Sequence, residues 1–424
     1  MAATRLLAAI IDARTSLDGL TDDGNGHPQY RALDGRDRAL VRAILSAALR
    51  HRRAIETVLA ARIAKPLPPA ARHLVHVLHV AAAQILYLDI PDSAAVDLAV
   101  TEASADPRSK RFAGLVNAVL RGLARSRPDA AQVSEAPAWF ASKLLADWGQ
   151  ERTAAILACH AVEAPIDLTV KSAPELWAER LGGFVLPTGS VRLVKPGKSI
   201  PELEGFEDGQ WWVQDAAAAI PARLFGDIAG QRVADLCAAP GGKSAQLAFA
   251  GARVTAIDMS RSRLKRLESN FARLGLTADL RETDILALKP EGQFDAVLLD
   301  APCSSTGTVR RHPDIPWTKT PEDVEKLAAV QRRLLDHAIS LVRPGGRIVF
   351  SNCSIFRQEG EDLITGILAE RRDIRLDPPG EFPGLAPFVT PEGTIRTLPD
   401  GLDMGAPERS GLDGFYAARL IRLG

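Results

Sequence analysis

Five short apolar segments, separated by stretches with helical patterning, constrain the fold of the second half of this chain more than any other feature. This alternation is typical of a parallel β-sheet whose strands are joined by crossover helices. We therefore predict an α/β domain built on a parallel sheet. The predicted strands are Arg232–Asp235, Arg253–Asp258, Leu280–Thr283, Ala296–Asp300 and Arg347–Ser351.

The first predicted strand leads into a glycine-containing loop, Cys237-Ala238-Ala239-Pro240-Gly241-Gly242-Lys243, and then a predicted helix over 244–249. Such a loop lets the N–H groups at a helix N-terminus approach a ligand. Gly242-Lys243-Ser244 is similar to the end of a phosphate-binding loop, but the first glycine of that motif falls on Cys237, so an ATPase is not favoured. Asp258, at the end of the next strand, stands where an acidic residue commonly accepts hydrogen bonds from ribose hydroxyls. A nucleoside cofactor is therefore predicted.

Four carboxylates follow successive predicted strands, namely Asp235, Asp258, Asp284 and Asp300. Ligands of open α/β sheets bind at the carboxyl ends of the strands. Taken singly, each aspartate is more simply interpreted as a helix N-cap or a turn residue. Together they favour a ligand site.

Two cysteines, Cys303 and Cys353, come just after predicted strands and therefore at the same edge of the sheet. A lone cysteine is by default a buried structural residue, but a thiol at the ligand edge is a candidate nucleophile. Both cysteines lie at a similar distance after a predicted strand, so spacing alone does not indicate which of them is the nucleophile.

The first 130 residues have apolar side chains at helical spacing, which predicts an all-helical bundle. Residues 131–208 combine helical segments with short alternating pieces such as Ile166–Val170, which predicts a small α/β connector. The third predicted part, the catalytic domain, spans 209–424. Within it, the Pro- and Gly-rich stretch 371–410 is predicted to be a long loop region.

Composition excludes several classes of protein. The chain has 424 residues, 52 Lys and Arg against 52 Asp and Glu, so a protein-wide field that attracts nucleic acid is excluded and any basic patch is local. The four cysteines form no Cys-x-x-Cys pair, and His73, His76 and His79 have no partner at ligand spacing, so we expect no metal. No signal peptide or membrane-spanning run is evident, which predicts a cytoplasmic protein without a membrane partner. The sequence leaves the oligomeric state open.

Three ordered motifs carry a resemblance to a known family. The loop Ala238-Ala239-Pro240-Gly241-Gly242-Lys243, the segment Asp300-Ala301-Pro302-Cys303-Ser304 and the segment Ser351-Asn352-Cys353-Ser354 together resemble the RsmB/NOP family of RNA (cytosine-5) methyltransferases. The resemblance continues to Asp413-Gly414-Phe415-Tyr416 and back to Gln214-Asp215. The helical N-terminal part is similar to the antitermination factor NusB through Asp37–Leu40, Tyr87–Pro91 and Val116–Arg121.

The resemblance implies a Rossmann-like S-adenosylmethionine-dependent methyltransferase domain, preceded by a NusB-like all-α domain that binds RNA and by the small connector. It implies that Cys353 attacks carbon 6 of a cytosine, that Cys303 helps to resolve the adduct, and that Asp300 contacts the base or the cofactor. Cofactor contacts are implied for Asp258 at the ribose and Asp284 near the adenine. They are also implied for Asp300 and for the loop residues Cys237, Ala238, Ala239, Pro240, Gly241, Gly242 and Lys243. Asn352 stands where this family usually has threonine. This difference affects the local geometry beside Cys353, the implied nucleophile.

The implied substrate is RNA, with small-subunit (16S) ribosomal RNA favoured. The same chemistry on transfer RNA or another RNA, and a non-catalytic RNA-binding or antitermination factor, are the alternatives. Arg310, Arg311, His312 and Trp317 are candidates to hold unpaired RNA, with a solvated charged loop as an equal interpretation. The basic run Arg50–Arg53 is a further candidate for RNA backbone, although such runs are usually solvated surface.

Overall fold

The structure is a computed structural model that describes residues 1–65, 67–68, 71–127, 136–289, 292–380 and 382–424. It divides into two compact units, Met1–Ala161 with Arg311–Thr320, and Val162–Arg310 with Pro321–Gly424. This division differs from the predicted three parts. The predicted boundary at 130–131 lies outside the described residues, and the helix Ala138–His160, assigned to the connector, clusters with the first unit.

The first unit is all-helical over its described residues, as predicted. Its core is formed by the inward faces of helices at 35–50, 73–87 and 113–125, because these segments have apolar residues at helical spacing. The helices are Ala2–Ala13, Leu17–Leu20, Pro28–Arg31, Gly35–Arg50, Arg52–Ala60, His73–Tyr87, Asp92–Ala105, Ala113–Arg125 and Ala138–His160, with a 3₁₀ turn at Lys110–Phe112 and the short helix Ile315–Thr318.

The second unit begins with a small four-stranded antiparallel sheet, formed by β1 (Ile166–Val170), β2 (Phe184–Val185), β3 (Val191–Leu193) and β4 (Trp211–Val213) in the order β2-β3-β1-β4. A helix, Pro174–Leu181, packs on this sheet. The mixed α/β character predicted for this stretch is confirmed, and β1 has the predicted bounds.

The larger sheet of the second unit has eight strands. Its strands are β5 (Arg232–Leu236), β6 (Arg253–Asp258), β7 (Asp279–Glu282), β8 (Phe294–Asp300), β9 (Val342–Asn352), β10 (Ile374–Leu376), β11 (Ile395–Thr397) and β12 (Phe415–Arg422). The order is β10-β12-β9-β8-β5-β6-β7, with β11 paired to β12. Strands β5 to β9 are parallel, so their carboxyl ends lie at one edge, whereas β12 runs antiparallel to β9.

Helices cover the sheet because both of its faces are apolar. Side chains alternate along β8, so that Leu298 joins one core cluster while Val297 and Leu299 join another. The helices of this unit are Pro174–Leu181, Ile220–Arg223, Gly242–Phe249, Arg261–Leu274, Pro321–Leu341 and Glu361–Glu370, with 3₁₀ turns at Ile200–Glu202, Ile285–Ala287, Thr306–Thr308, Arg357–Glu359 and Ala386–Phe388.

The five predicted strands are confirmed; the ends of four shift by at most two residues, whereas β9 begins five residues earlier than predicted. The prediction of one long loop over 371–410 is wrong, because this stretch contains β10 and β11. Both are three residues long and are held by antiparallel pairing to β12, a partner that lies far away in the sequence.

Candidate active site

The loop after β5 turns sharply into the helix Gly242–Phe249. Cys237 and Gly241 both adopt positive φ, 64° and 103°. A Cβ atom at Gly241 would lie 2.6 Å from Cγ of Leu267, so a side chain has neither the conformation nor the space at this position. The loop thus brings bare backbone to the ligand edge of the sheet, as the sequence predicted.

Two of the four strand-end carboxylates are buried and accept hydrogen bonds from neighbouring residues. Asp235 is 1% exposed and accepts a hydrogen bond from the Ser244 hydroxyl, and burial raises its pKa to about 7. Asp258 is 3% exposed and accepts hydrogen bonds from the backbone N–H groups of Ala239 (3.3 Å) and Ser260 (2.9 Å). Asp258 therefore fixes the predicted cofactor loop against the end of β6.

The other two carboxylates are more accessible. Asp284 is exposed, and its Oδ1 accepts the N–H of Leu286 (3.0 Å), so it also acts as the N-cap that its single-residue interpretation predicts. Asp300 is half-buried at the end of β8. Its Oδ1 accepts the Ser351 hydroxyl and its Oδ2 accepts the Lys243 ammonium, each at 2.8 Å.

Lys243 links the cofactor loop to the strand that carries Asp300. Its ammonium also lies 4.7 Å from the centre of the Phe415 ring, a cation–π distance. The side chain is only 10% exposed, so its position is set by these two contacts.

Cys303 and Cys353 lie together, with their sulfur atoms 3.4 Å apart. The strand register explains this, because Asp300 pairs with Ser351 across β8 and β9 and each cysteine follows shortly after. The hydrogen bond from Cys303 lowers the pKa of Cys353, with help from the Ser305 hydroxyl and the Lys243 charge, against burial and Asp300. The same bond and burial raise the pKa of Cys303 well above its usual range. The pair therefore favours a thiolate at Cys353 and a thiol at Cys303.

Cys237 is a third thiol near this edge but is electrostatically different. Burial, and then the charges of Asp300 and Asp258, raise its pKa to about 12. A thiol held protonated at neutral pH is a poor nucleophile.

Backbone contacts join three of the motif segments. The N–H of Gly307 donates to the carbonyl of Cys353, and the N–H of Gly414 donates to the carbonyl of Gly307, both at 2.8 Å. A Cβ atom at Gly307 would lie 1.8 Å from the carbonyl oxygen of Gly414. Backbone hydrogen bonds at Gly307 therefore join the segments 303–307, 351–354 and 413–416. A residue with a side chain at this position would clash with the Gly414 carbonyl.

Asn352, the departure from the family pattern, is accommodated by the fold. It is 1% exposed; its amide donates to the carbonyl of Glu359 (2.6 Å), and its side-chain oxygen accepts the N–H of Ser354 (3.0 Å). The asparagine thus orders the turn that carries Cys353.

A buried polar cluster below the two cysteines was not predicted from the sequence. Its members are Ser304, Thr306, Gln331, Ser354 and Glu359, each 0% exposed. The sequence feature that could have indicated this cluster is the concentration of hydroxyl residues beside each cysteine, together with a carboxylate shortly after the second one.

Four of the residues proposed to hold RNA make contacts within the protein. Arg310 is 2% exposed and donates to the carbonyl of Ser410. Within the first unit, Trp317 packs against the helical core, donates to the carbonyl of Leu49 (3.1 Å), and lies under the guanidinium of Arg52. Arg50 donates to the carbonyl of His160. Trp317, Arg50 and Arg52 thus make contacts within the unit, and the role of Trp317 in stacking on a base stays a prediction.

The described residues contain no group of three or more His, Cys, Asp or Glu side chains able to hold a metal ion. They also contain no helix with the length and apolar character needed to cross a membrane.

Comparisons with known proteins match both halves of the chain. The family model described as 16S rRNA methyltransferase RsmB/F matches residues 226–421, and the NusB family model matches residues 1–125. Ribosomal RNA small subunit methyltransferase B of Xylella fastidiosa is 36% identical over 100% of both chains. The protein of the same name from Shewanella oneidensis is 32% identical over 93% of both chains.

Solved structures share the fold. The crystal structure of PH0851 covers 100% of this chain and 99% of its own, with a TM-score of 0.74 at 23% identity. A methyltransferase homologue from Pyrococcus horikoshii covers 72% of this chain and 98% of its own, with a TM-score of 0.56 at 26% identity.

The fold, the glycine loop and these matches define a Rossmann-like S-adenosylmethionine-dependent RNA methyltransferase with a NusB-type helical domain at its N-terminus. The chain belongs to the RsmB/F family of small-subunit ribosomal RNA methyltransferases. The fold class and the family predicted from the sequence are thereby confirmed.

Proposed function

We propose that this protein methylates carbon 5 of a cytosine in small-subunit ribosomal RNA through a covalent bond between Cys353 and carbon 6 of the base. The observation that carries this proposal is the pair of sulfur atoms 3.4 Å apart, of which Cys353 is favoured as thiolate. Relatives named ribosomal RNA small subunit methyltransferase B support the class of substrate.

Two thiols suit this reaction because carbon 5 of cytosine is a poor nucleophile. Addition of the Cys353 thiolate to carbon 6 moves electron density to carbon 5. Bound S-adenosylmethionine supplies an electrophilic methyl group there. A base then removes the carbon 5 proton, the electron pair reforms the double bond, and the Cys353 thiolate leaves. Cys303, held as a thiol beside the leaving sulfur, is assigned to this resolution step.

Asp300 is assigned to the pyrimidine or the cofactor. Its carboxylate accepts hydrogen bonds from Lys243 and Ser351 and retains lone pairs for a third donor. Accepting an N3–H would stabilise the protonated base, which is the form that takes up a thiolate at carbon 6.

The residues around the glycine loop fit a nucleoside cofactor. Gly241 leaves the backbone of 237–243 bare, and Asp258 and Asp284 follow neighbouring parallel strands, where ribose and base atoms of such ligands are bound. We assign the loop Cys237–Lys243 and these two aspartates to S-adenosylmethionine, with Lys243 holding Asp300 in place.

Methyl transfer from labelled S-adenosylmethionine tests the function. Undermodified small-subunit RNA, the corresponding ribosomal particle and transfer RNA are offered side by side, and the methylated nucleoside is identified by mass spectrometry. The proposal predicts 5-methylcytidine in the small-subunit RNA. Label found only in transfer RNA would identify transfer RNA as the substrate. RNA binding without any methyl transfer would favour a non-catalytic binding factor. A ribosomal RNA substrate would be met in the cytoplasm.

A further inference from the structure

Glu359 is a fully buried carboxylate at the end of the 3₁₀ turn Arg357–Glu359. Its Oε1 accepts the backbone N–H of Ser304 (2.9 Å) and the amide of Gln331 (2.8 Å), and its Oε2 accepts the Ser304 hydroxyl. Its backbone carbonyl accepts the amide of Asn352. Glu359 thus bonds to the residue after Cys303 and to the residue before Cys353.

Burying a carboxylate is costly unless hydrogen-bond donors replace its lost hydration. Here three donors satisfy the charge, and two of them come from one residue, Ser304. Gln331 also donates to the carbonyl of Pro302 (3.0 Å), so the Cys303 loop is fixed on both sides of the thiol.

We propose that Glu359 is a positioning residue for methyl transfer, which holds the Cys303 loop against the Cys353 loop so that the two sulfur atoms stay in contact. The proposal rests on the roles assigned above to the two cysteines. It adds a residue that touches neither substrate nor cofactor and acts through Ser304 and Asn352.

The negative charge of Glu359 also helps to keep Cys303 as the protonated thiol of the pair. It contributes to the raised pKa of Cys303, while Lys243 lowers and Asp300 raises the pKa of Cys353. Glu359, Lys243 and Asp300 are thus charged groups that act on the two thiols. Glu361 lies two residues further on and is paired with Arg396 (2.6 Å).

The matched variants are Glu359→Gln, which keeps the shape but removes the charge, and Glu325→Gln, the same change at an exposed position of the helix Pro321–Leu341. Alkylation of Cys303 and Cys353 by iodoacetamide is followed from pH 6 to 10 by peptide mass spectrometry, without RNA or cofactor. Methyl transfer is measured in parallel as kcat and KM for the RNA.

In wild type and E325Q, Cys353 is expected to react far faster than Cys303 at neutral pH. In E359Q, the ratio of the two rates is expected to fall at least about tenfold, and kcat about 10–100-fold with KM for RNA within about twofold. A folded E359Q that keeps the wild-type ratio and kcat would overturn the proposal. So would a loss of kcat that only follows the folded fraction.

Glu359→Asp keeps the charge but shortens the side chain by one methylene group. It is expected to keep Cys303 slow to alkylate and still to lower kcat at least about fivefold, because the reach to Ser304 is lost. If E359Q does not fold, an E359D protein with wild-type kcat overturns the proposal. If wild type transfers no methyl group to any RNA, the proposed function fails, while the alkylation ratio still decides whether Glu359 sets the thiol pair.

Discussion

Gly307→Ala is expected to inactivate the protein by separating the segments that carry the two cysteines. The added Cβ would lie 1.8 Å from the Gly414 carbonyl oxygen and 2.8 Å from that of Cys353, and both are backbone atoms. Relieving these clashes requires the backbone to shift by about 1 Å or more. Such a shift weakens the two backbone hydrogen bonds of Gly307, each worth about 1 kcal/mol. With about 1 kcal/mol of overpacking, the total loss of stability is about 3 kcal/mol.

Thermal unfolding and methyl transfer measure the two consequences. A loss of about 3 kcal/mol lowers Tm by about 6–12 °C for a unit of this size. A displacement of about 1 Å in the thiol pair lowers kcat about 100-fold. Gly366→Ala is the control, because this helical glycine has only an arginine side chain at 3.9 Å, and alanine favours a helix by about 1 kcal/mol. A G307A protein with wild-type Tm and kcat would refute the reasoning.

Three further outcomes are expected. Lys243→Met removes a charge that lowers the pKa of Cys353, so alkylation of Cys353 by iodoacetamide should shift to higher pH; an unchanged profile would contradict this. Asp235 has a pKa raised from 3.8 to about 7, so the folded state keeps a proton that the unfolded state releases, and wild type should lose stability relative to Asp235→Asn as pH rises from about 4 to 7. The loss is at most about 4 kcal/mol and is constant above that window; equal pH dependence in urea unfolding would count against it. Trp317→Ala should lower the stability of the helical unit by about 2 kcal/mol while RNA affinity stays within about twofold, whereas a base-stacking role predicts the reverse.

The central parallel strands β5 and β8 were predictable because each is a compact apolar run that is buried on both faces, whereas the edge strand β7 is mostly exposed. The ends of β6 match the prediction, and those of β5 differ by one residue. The antiparallel strands β10 and β11 were missed because three residues give too short a pattern to recognise. Their stability comes from pairing with β12, which no local signal reveals.

The site was predictable as a set of residues but not as a geometry. Strand ends brought Cys303 and Cys353 to one edge, whereas their 3.4 Å contact depends on the register between β8 and β9. The internal contacts of Trp317 could not be predicted because its partners, Leu49 and Arg52, are distant in sequence, and an aromatic residue in a charged segment looks exposed. Glu359 escaped notice for a related reason, since a charged residue is normally expected at the surface.

Trapping of the covalent intermediate tests the central claim most directly. Wild type, Cys303→Ala and Cys353→Ala are incubated with S-adenosylmethionine and undermodified small-subunit RNA, then separated on a denaturing gel. The account predicts a protein–RNA band that accumulates in C303A, which forms the bond but resolves it slowly, and no band in C353A. A covalent band in C353A, or 5-methylcytidine formed by C353A at the wild-type rate, would contradict the assignment of Cys353 as the nucleophile.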